Sequence, residues 1–232
     1  MDLRDSWPRT LEQIIRCRAC AGLGKPVSGY GDGPVPATVL LIGEAPGRLG
    51  AARTGVPLTG DRTGQAVDRF LERAGIPPGQ VHRTNALLCH PADGRGRNRS
   101  PRPDELARCV TWLARRLALV QPSIVVPLGG VALAALDLIE PHGLRLKEAV
   151  AIPHRWRGRW LLPLYHLSPR TIARRPMWQH EADWAALGDL WRRVSTLMPE
   201  MANAGEQHRD AGTVGRGNDF GVPAASPRLH DG

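Results

Sequence analysis

Three side chains able to carry chemistry stand at or just past the ends of apolar runs. Glu44 follows TVLLIG (38–43), Asn85 lies within HRTNALLC (82–89), and His166 closes LLPLYH (161–166). A partly enclosed carboxylate can orient or deprotonate a water, or stabilise a nearby cation. Asn85 carries a donor and an acceptor on one flat amide, a group that reads the edge of a planar heterocycle. An imidazole, neutral or protonated, can donate to an oxygen that gains negative charge. Each has a plainer reading: Glu44 as a cap or a partner for Arg48, Asn85 satisfied by backbone, His166 a structural residue. Their matching positions, with Cys89 beside them, favour one site. His90, His142, His154 and His180 lack comparable context and read as structural.

The stretch after Glu44 supports a site. In GEAPGRLGAARTGVPLTGDRTG (43–64), the Ala45-Pro46-Gly47 turn leaves backbone N–H groups free to face a ligand. The glycines let backbone approach something closely, and Arg48, Arg53 and Arg62 add charge. A phosphate-binding P-loop is excluded, because G-x-x-x-x-G-K-[ST] is absent. After His166 comes Ser168-Pro169-Arg170, then TIARRP. Arg170, Arg174 and Arg175 suit phosphates there, and Leu167 or Ile172 suits a wedge between stacked bases.

The cysteines are Cys17, Cys20, Cys89 and Cys109, spaced as C-x2-C, then 68 residues (21–88), then C-x19-C. A C-x-x-C among four cysteines of a cytosolic chain suits metal or redox chemistry better than disulfides. Four thiolates could hold zinc or a [4Fe–4S] cluster, and composition does not choose between them.

These residues need a scaffold. TVLLIG, HRTNALLC and SIVVPLG (123–129) read as buried strands, and AVAIPHRWRGRWLLPLYH (149–166) as a hairpin turning at Arg157-Gly158. Helices are expected over 3–16, with Thr10 a possible cap, over 63–75 with Thr63 as cap and Gly75 at the end, and over 103–122, 130–139 and 176–197. HPADGRGRNRSPRP (90–103) is a polar loop with four arginines. Strands alternating with helices give an α/β fold around a mostly parallel sheet, whose ligands bind beyond the carboxyl ends of the strands. The 232 residues suit one domain, expected over 1–198, followed by a disordered tail over 199–232 poor in apolar periodicity.

The net charge is +9 at pH 7, and only Lys25 and Lys147 among the basic residues are lysines. That balance points to nucleic acid or another polyanion, or to replacement of lysine by arginine across a whole genome. No stretch approaches the roughly 18 to 20 apolar residues of a membrane span, and the start carries no signal-peptide pattern. A soluble cytoplasmic, nucleoid-associated monomer is expected.

GEAPG (43–47), TNALLCHP (84–91) and HLSP (166–169) resemble signature segments of the uracil-DNA glycosylase superfamily, and the cysteine layout resembles its iron–sulfur branches, families 4 and 5. The resemblance covers roughly residues 10–195. It implies a three-layer α/β/α sandwich and an enzyme that flips a deaminated base, first of all uracil, out of DNA and hydrolyses its N-glycosidic bond. It implies a structural [4Fe–4S] cluster on Cys17, Cys20, Cys89 and Cys109. Glu44 would handle the attacking water, Asn85 would read the pyrimidine, and His166 would stabilise the departing anion. Ala45, Gly47, Leu58 and Ser168 would contact substrate, and Arg170, Arg174 and Arg175 the DNA. Leu58 stands where family 4 has an aromatic, Glu44 where family 5 lacks an acid, and HLS replaces the commoner HPS, so the chain resembles a divergent branch. Two other readings are a noncatalytic iron–sulfur nucleic-acid binder of the same fold and a zinc-stabilised nucleotide-binding protein.

Overall fold

Five short strands make one sheet in the order β2-β1-β3-β5-β4. They are β1 (Val39–Gly43), β2 (Val81–Asn85), β3 (Ile124–Pro127), β4 (His154–Trp156) and β5 (Arg159–Leu161). β2, β1, β3 and β5 run parallel, and β4 returns antiparallel beside β5. A computed structural model describes residues 3–196. The tail expected over 199–232 lies outside the described residues.

All five residues of β1 are buried, as a strand covered on both faces must be. Alternation sends Val39 and Leu41 to one face and Leu40 and Ile42 to the other. On the first face lie Val67, Phe70 and Leu71 from α3 (Arg62–Arg73) and Trp184, Leu187 and Leu190 from α8 (Met177–Thr196). Phe70 and Trp184 stack there, ring centroids 5.5 Å apart. The second face receives Ile14 from α1 (Leu3–Ile15), Leu106, Leu113 and Leu117 from α4 (Pro103–Val120), and Ala132, Leu133 and Leu136 from α5 (Gly130–Asp137). The result is the expected three-layer α/β/α sandwich.

The hairpin turns at Arg157 (φ 50°) and Gly158 (φ 74°), the paired left-handed conformation that matches strand twist. Two expected caps move. Thr10 is buried inside α1, and α3 is capped by Asp61, whose Oδ1 accepts the Gly64 N–H at 2.9 Å. Short helices α2 (Ala51–Thr54), α6 (Leu146–Ala149) and α7 (Pro169–Ile172) carry too few residues to show a period in the sequence.

A buried polar knot ties α1 and α4 to β2. Arg116 on α4 pairs with Asp32 at 2.7 Å, donates to His82 Nε2 at 2.7 Å and to Ser28 Oγ, and lies 4.9 Å from the Trp7 ring centroid. Burial holds the His82 imidazole down at about 3, so it is neutral; accepting from Arg116 at Nε2, it donates from Nδ1 to the Pro34 carbonyl at 3.0 Å.

Candidate active site

The carboxyl ends of the parallel strands open into one cleft of about 1060 Å³. Register explains the convergence. Gly43 pairs with Asn85, so the tip of β1 and the tip of β2 lie side by side, and Glu44 is the next residue along. The Gly43 carbonyl accepts the Ala86 N–H at 2.9 Å and the Glu44 carbonyl the Leu87 N–H at 3.1 Å, which fixes the chain on both sides of the carboxylate. Beyond β5, a Leu128–Leu164 bridge continues the parallel pairing just past the end of β3 and brings His166 into the same opening. Glu44, Ala45, Gly47, Leu58, Asn85, His166, Ser168 and Arg170 all line it.

Asn85 is 2% exposed, and its Nδ2 finds no hydrogen-bond partner. A buried amide donor left open on a cleft wall favours a ligand that accepts there, because an unmade bond costs about 1–3 kcal/mol. A Cβ at Gly43 would stand 2.4 Å from Asn85 Oδ1 and 2.9 Å from Leu58 Cδ2. Glycine at that position therefore lets the amide and the apolar face meet. Leu58 reaches the cleft through a left-handed backbone (φ 56°), unfavourable for a side chain of this size.

Glu44 is half-buried and forms neither an ion pair nor a side-chain hydrogen bond among the described residues. Its suggested pairing with Arg48 is not formed. Burial lowers the His166 imidazole below its usual range, and the nearby Asp61 carboxylate opposes the shift only in part. The neutral ring is thus the resting form, able to donate from one nitrogen. Ser168 caps α7, accepting the Thr171 N–H, and so holds the turn just after His166.

Two expectations about the basic segment change. Arg175 is held at Asp183 Oδ2 (2.6 Å) and Gln179 Oε1 (2.7 Å), with its guanidinium 4.8 Å from the Tyr165 ring centroid. It braces the strand end against α8 and does not line the cleft. Arg174 is exposed and also lies outside the lining, whereas Arg170 remains on the rim. Leu167 is fully buried in the core and cannot act as a wedge, and Ile172 is half-buried.

Asp61 and Asn98 also line the cleft and went unnoticed in the sequence. Asp61 had a signal, an acidic cap residue just ahead of a helical period. Its Oδ2 packs where a Cβ at Gly50 would stand only 2.4 Å away. Asn98 had none; its Oδ1 meets the Arg48 N–H and His90 Nε2, both at 2.9 Å.

The family model of the uracil DNA glycosylase superfamily matches residues 30–188. The chain belongs to this superfamily. A type-4 uracil-DNA glycosylase of Archaeoglobus fulgidus is 31% identical over 189 residues, 78% of this chain and 90% of its own length. A type-5 uracil-DNA glycosylase of Thermus thermophilus is 36% identical over 178 residues, 68% of this chain and 77% of its own length. A type-4 enzyme of Thermotoga maritima is 28% identical over 159 residues. Similarity to both types agrees with the mixed signature of the glycosylase motifs here.

In this glycosylase-superfamily chain all four cysteines are free thiols and all line one pocket, with Leu23, Leu87, Leu88 and Trp112 as its apolar walls. Among the described residues no group of three or more His, Cys, Asp or Glu is placed to hold a single metal ion. Burial pushes the Cys89 thiol up to about 11 and the Cys109 thiol up to about 12, and the neighbouring thiolates add to both. Such a set repels itself when ionised, and a cation relieves that repulsion.

Proposed function

We propose that this protein is a DNA repair glycosylase that extrudes uracil, or another deaminated base, from DNA and hydrolyses its N-glycosidic bond. The observation that carries the reading is the open Asn85 amide, buried beside Leu58 and sharing its cleft with Glu44 and His166.

An extruded base must be read on its edge and covered on its face. Asn85 supplies the edge contact, its amide group donating to one ring position and accepting from another. Leu58 supplies an apolar face, without the stacking an aromatic would add. As the C1′–N1 bond breaks, the electron pair leaves on the base, which becomes an anion delocalised toward O2. Neutral His166 donates a hydrogen bond to that oxygen, and the backbone of the Ala45–Gly47 turn adds amide donors. The sugar passes through a cationic state that the Glu44 carboxylate favours. Water, oriented by Glu44, bonds to C1′ and gives its proton to that carboxylate, leaving an abasic site. Arg170 on the rim suits a phosphate beside the lesion.

The four cysteines suit a [4Fe–4S] cluster through their donor set and shared pocket. When bound, the cluster supplies a covalent tie between the segment after α1, the loop after β2, and α4. The cleft residues carry the reaction.

Excision assays on single- and double-stranded oligonucleotides holding a panel of deaminated bases test the reading. Abasic product from wild type, lost in Asn85→Ala, is the expected result. Tight binding without product on any substrate would establish a noncatalytic binder instead. Iron and sulfide in equal amounts in anaerobically prepared protein would support the cluster, and zinc alone would refute it.

A further inference from the structure

The four arginines of the loop between Cys89 and α4 do not share one fate. Arg99 grips Glu105 with both guanidinium nitrogens, at 2.6 and 2.8 Å, and so serves the fold. The Arg102 N–H donates to the same carboxylate. Arg97 gives only its Nε to Asp93, at 2.8 Å, and the side chain of Arg95 has no partner among the described residues.

Asp93 organises the segment that carries the last two. Its N–H donates to the Arg97 carbonyl, its Oδ1 accepts the Arg95 and Arg97 N–H groups, and its carbonyl accepts the Gly96 N–H, all within 2.8–2.9 Å. Gly96 takes φ 71°, and Ala92 bridges antiparallel to Asn98. Those bonds fix a small hairpin that buries no core residue and is exposed from Gly94 to Asn98. Its stem reaches the cleft, since Pro91, Asn98 and Arg99 line it. The acidic groups close by are occupied: Glu105 by Arg99, Asp93 by Arg97, Asp104 by Arg108.

An exposed loop gains little for the fold from such ordering. It does gain in binding, because a backbone already fixed beneath two arginines loses less freedom when they meet a partner. On this hairpin the outer nitrogens of Arg97, held through its Nε, and the guanidinium of Arg95, unpaired among the described residues, match the planar, bidentate chemistry of phosphate.

We propose that the 92–98 hairpin is a preformed clamp for the phosphate backbone of DNA next to the everted base, with Arg95 and the outer nitrogens of Arg97 as its contacts. The clamp positions DNA without reading sequence. It rests on the DNA substrate of the function proposed above.

The test is equilibrium binding of the full chain to uracil-free duplex DNA over a series of salt concentrations. Each phosphate contact contributes about 0.9 to the slope of log K against log salt on duplex DNA. Arg95→Ala/Arg97→Ala is expected to lower that slope by roughly 1.8 and to weaken binding about tenfold or more at 0.1 M salt. An unchanged slope would overturn the clamp. Asp93→Ala keeps both arginines and adds one unit of positive charge, so charge alone predicts tighter binding. A preformed clamp predicts weaker binding, and tighter binding would overturn it. Thermal melting checks that both variants fold, which the exposed position favours. Excision by wild type is scored separately on the full lesion panel in single- and double-stranded oligonucleotides: failure on every substrate would sink the glycosylase reading and leave the slope interpretable.

Discussion

Gly43 matters because of what it leaves out. With Asn85 Oδ1 2.4 Å and Leu58 Cδ2 2.9 Å from where a Cβ would stand, Gly43→Ala must displace the amide or the leucine. A shift of about 1 Å at such a contact costs roughly 10²-fold in rate. Single-turnover excision on saturating DNA should therefore fall about 10²-fold, while melting shows a folded protein; unchanged turnover would mean that Asn85 does not read the base. If His166 donates to the departing anion as proposed, His166→Ala should slow the same step by about 10²–10³-fold with DNA affinity retained. Proportionate loss of affinity would move His166 out of the chemistry. Glu44, Asn85 and His166 were legible because a polar residue at the end of an apolar run is conspicuous. The pairing of Arg175 was not legible, because its partner, Asp183, arrives from the next helix, and a run of basic residues does not show which ones are already paired. Leu167 was misread, since only the packing of the strand end shows which way it faces.

At the scale of elements, two carboxylates hold the segments that frame the cleft. Asp61 caps α3 and packs against Gly47 and Gly50, so one residue orders both the helix start and the loop after Glu44. Asp61→Ala should destabilise by about 1 kcal/mol and Asp61→Asn much less, because asparagine caps equally well. Equal losses in chemical denaturation would show that charge, not capping, is what counts. Glu105 anchors the other side. The Arg99 hydrogen bonds, then the Arg102 N–H, hold its carboxyl down at about 2 from 4.5. A lowered carboxylate gives stability that is complete above about pH 4.5 and is lost as pH falls toward 2. Glu105→Gln should flatten that part of the stability profile; an unaltered profile would assign the acid limb elsewhere. The long helices were readable from period and length to within about two residues at their ends, and the strands by position, though the hairpin expected over 149–166 pairs only at 154–156 and 159–161 and the strand expected over 82–89 ends at Asn85. The four-residue helices and the Asp93 hairpin were not, because hydrogen bonds to single side chains, rather than periodicity, define them.

Across the whole molecule, the chain buries cations and imidazoles that must stay in fixed protonation states. Arg116, fully enclosed with Asp32, His82 and Ser28 and set against Trp7 of α1, joins α1 and α4, the elements that flank the cysteine pocket, to β2, which ends in Asn85. Nothing in the sequence announced this knot, since even Ser28 and Arg116 lie 88 residues apart. Removing one partner strands the other: Arg116→Ala should cost about 3–5 kcal/mol, and replacing both Arg116 and Asp32 with apolar residues of similar volume should cost far less. His82, His166 and His180 are all lowered by burial, His82 to about 3. A histidine whose folded value lies below its unfolded 6.5 gives stability that is full above pH 6.5 and declines as pH falls, because the unfolded chain takes up the proton first. His82 contributes up to about 1.4 kcal/mol per pH unit below that point, and His166 and His180 act in the same direction. Unfolding free energy measured by denaturant at pH 7.5 and 5.0 should thus drop well before the carboxylates titrate, and His82→Gln should reduce the drop. A profile level between those two values would mean that these rings take up protons in the folded state, and would count against the neutral His166 that the proposed mechanism uses at the leaving group.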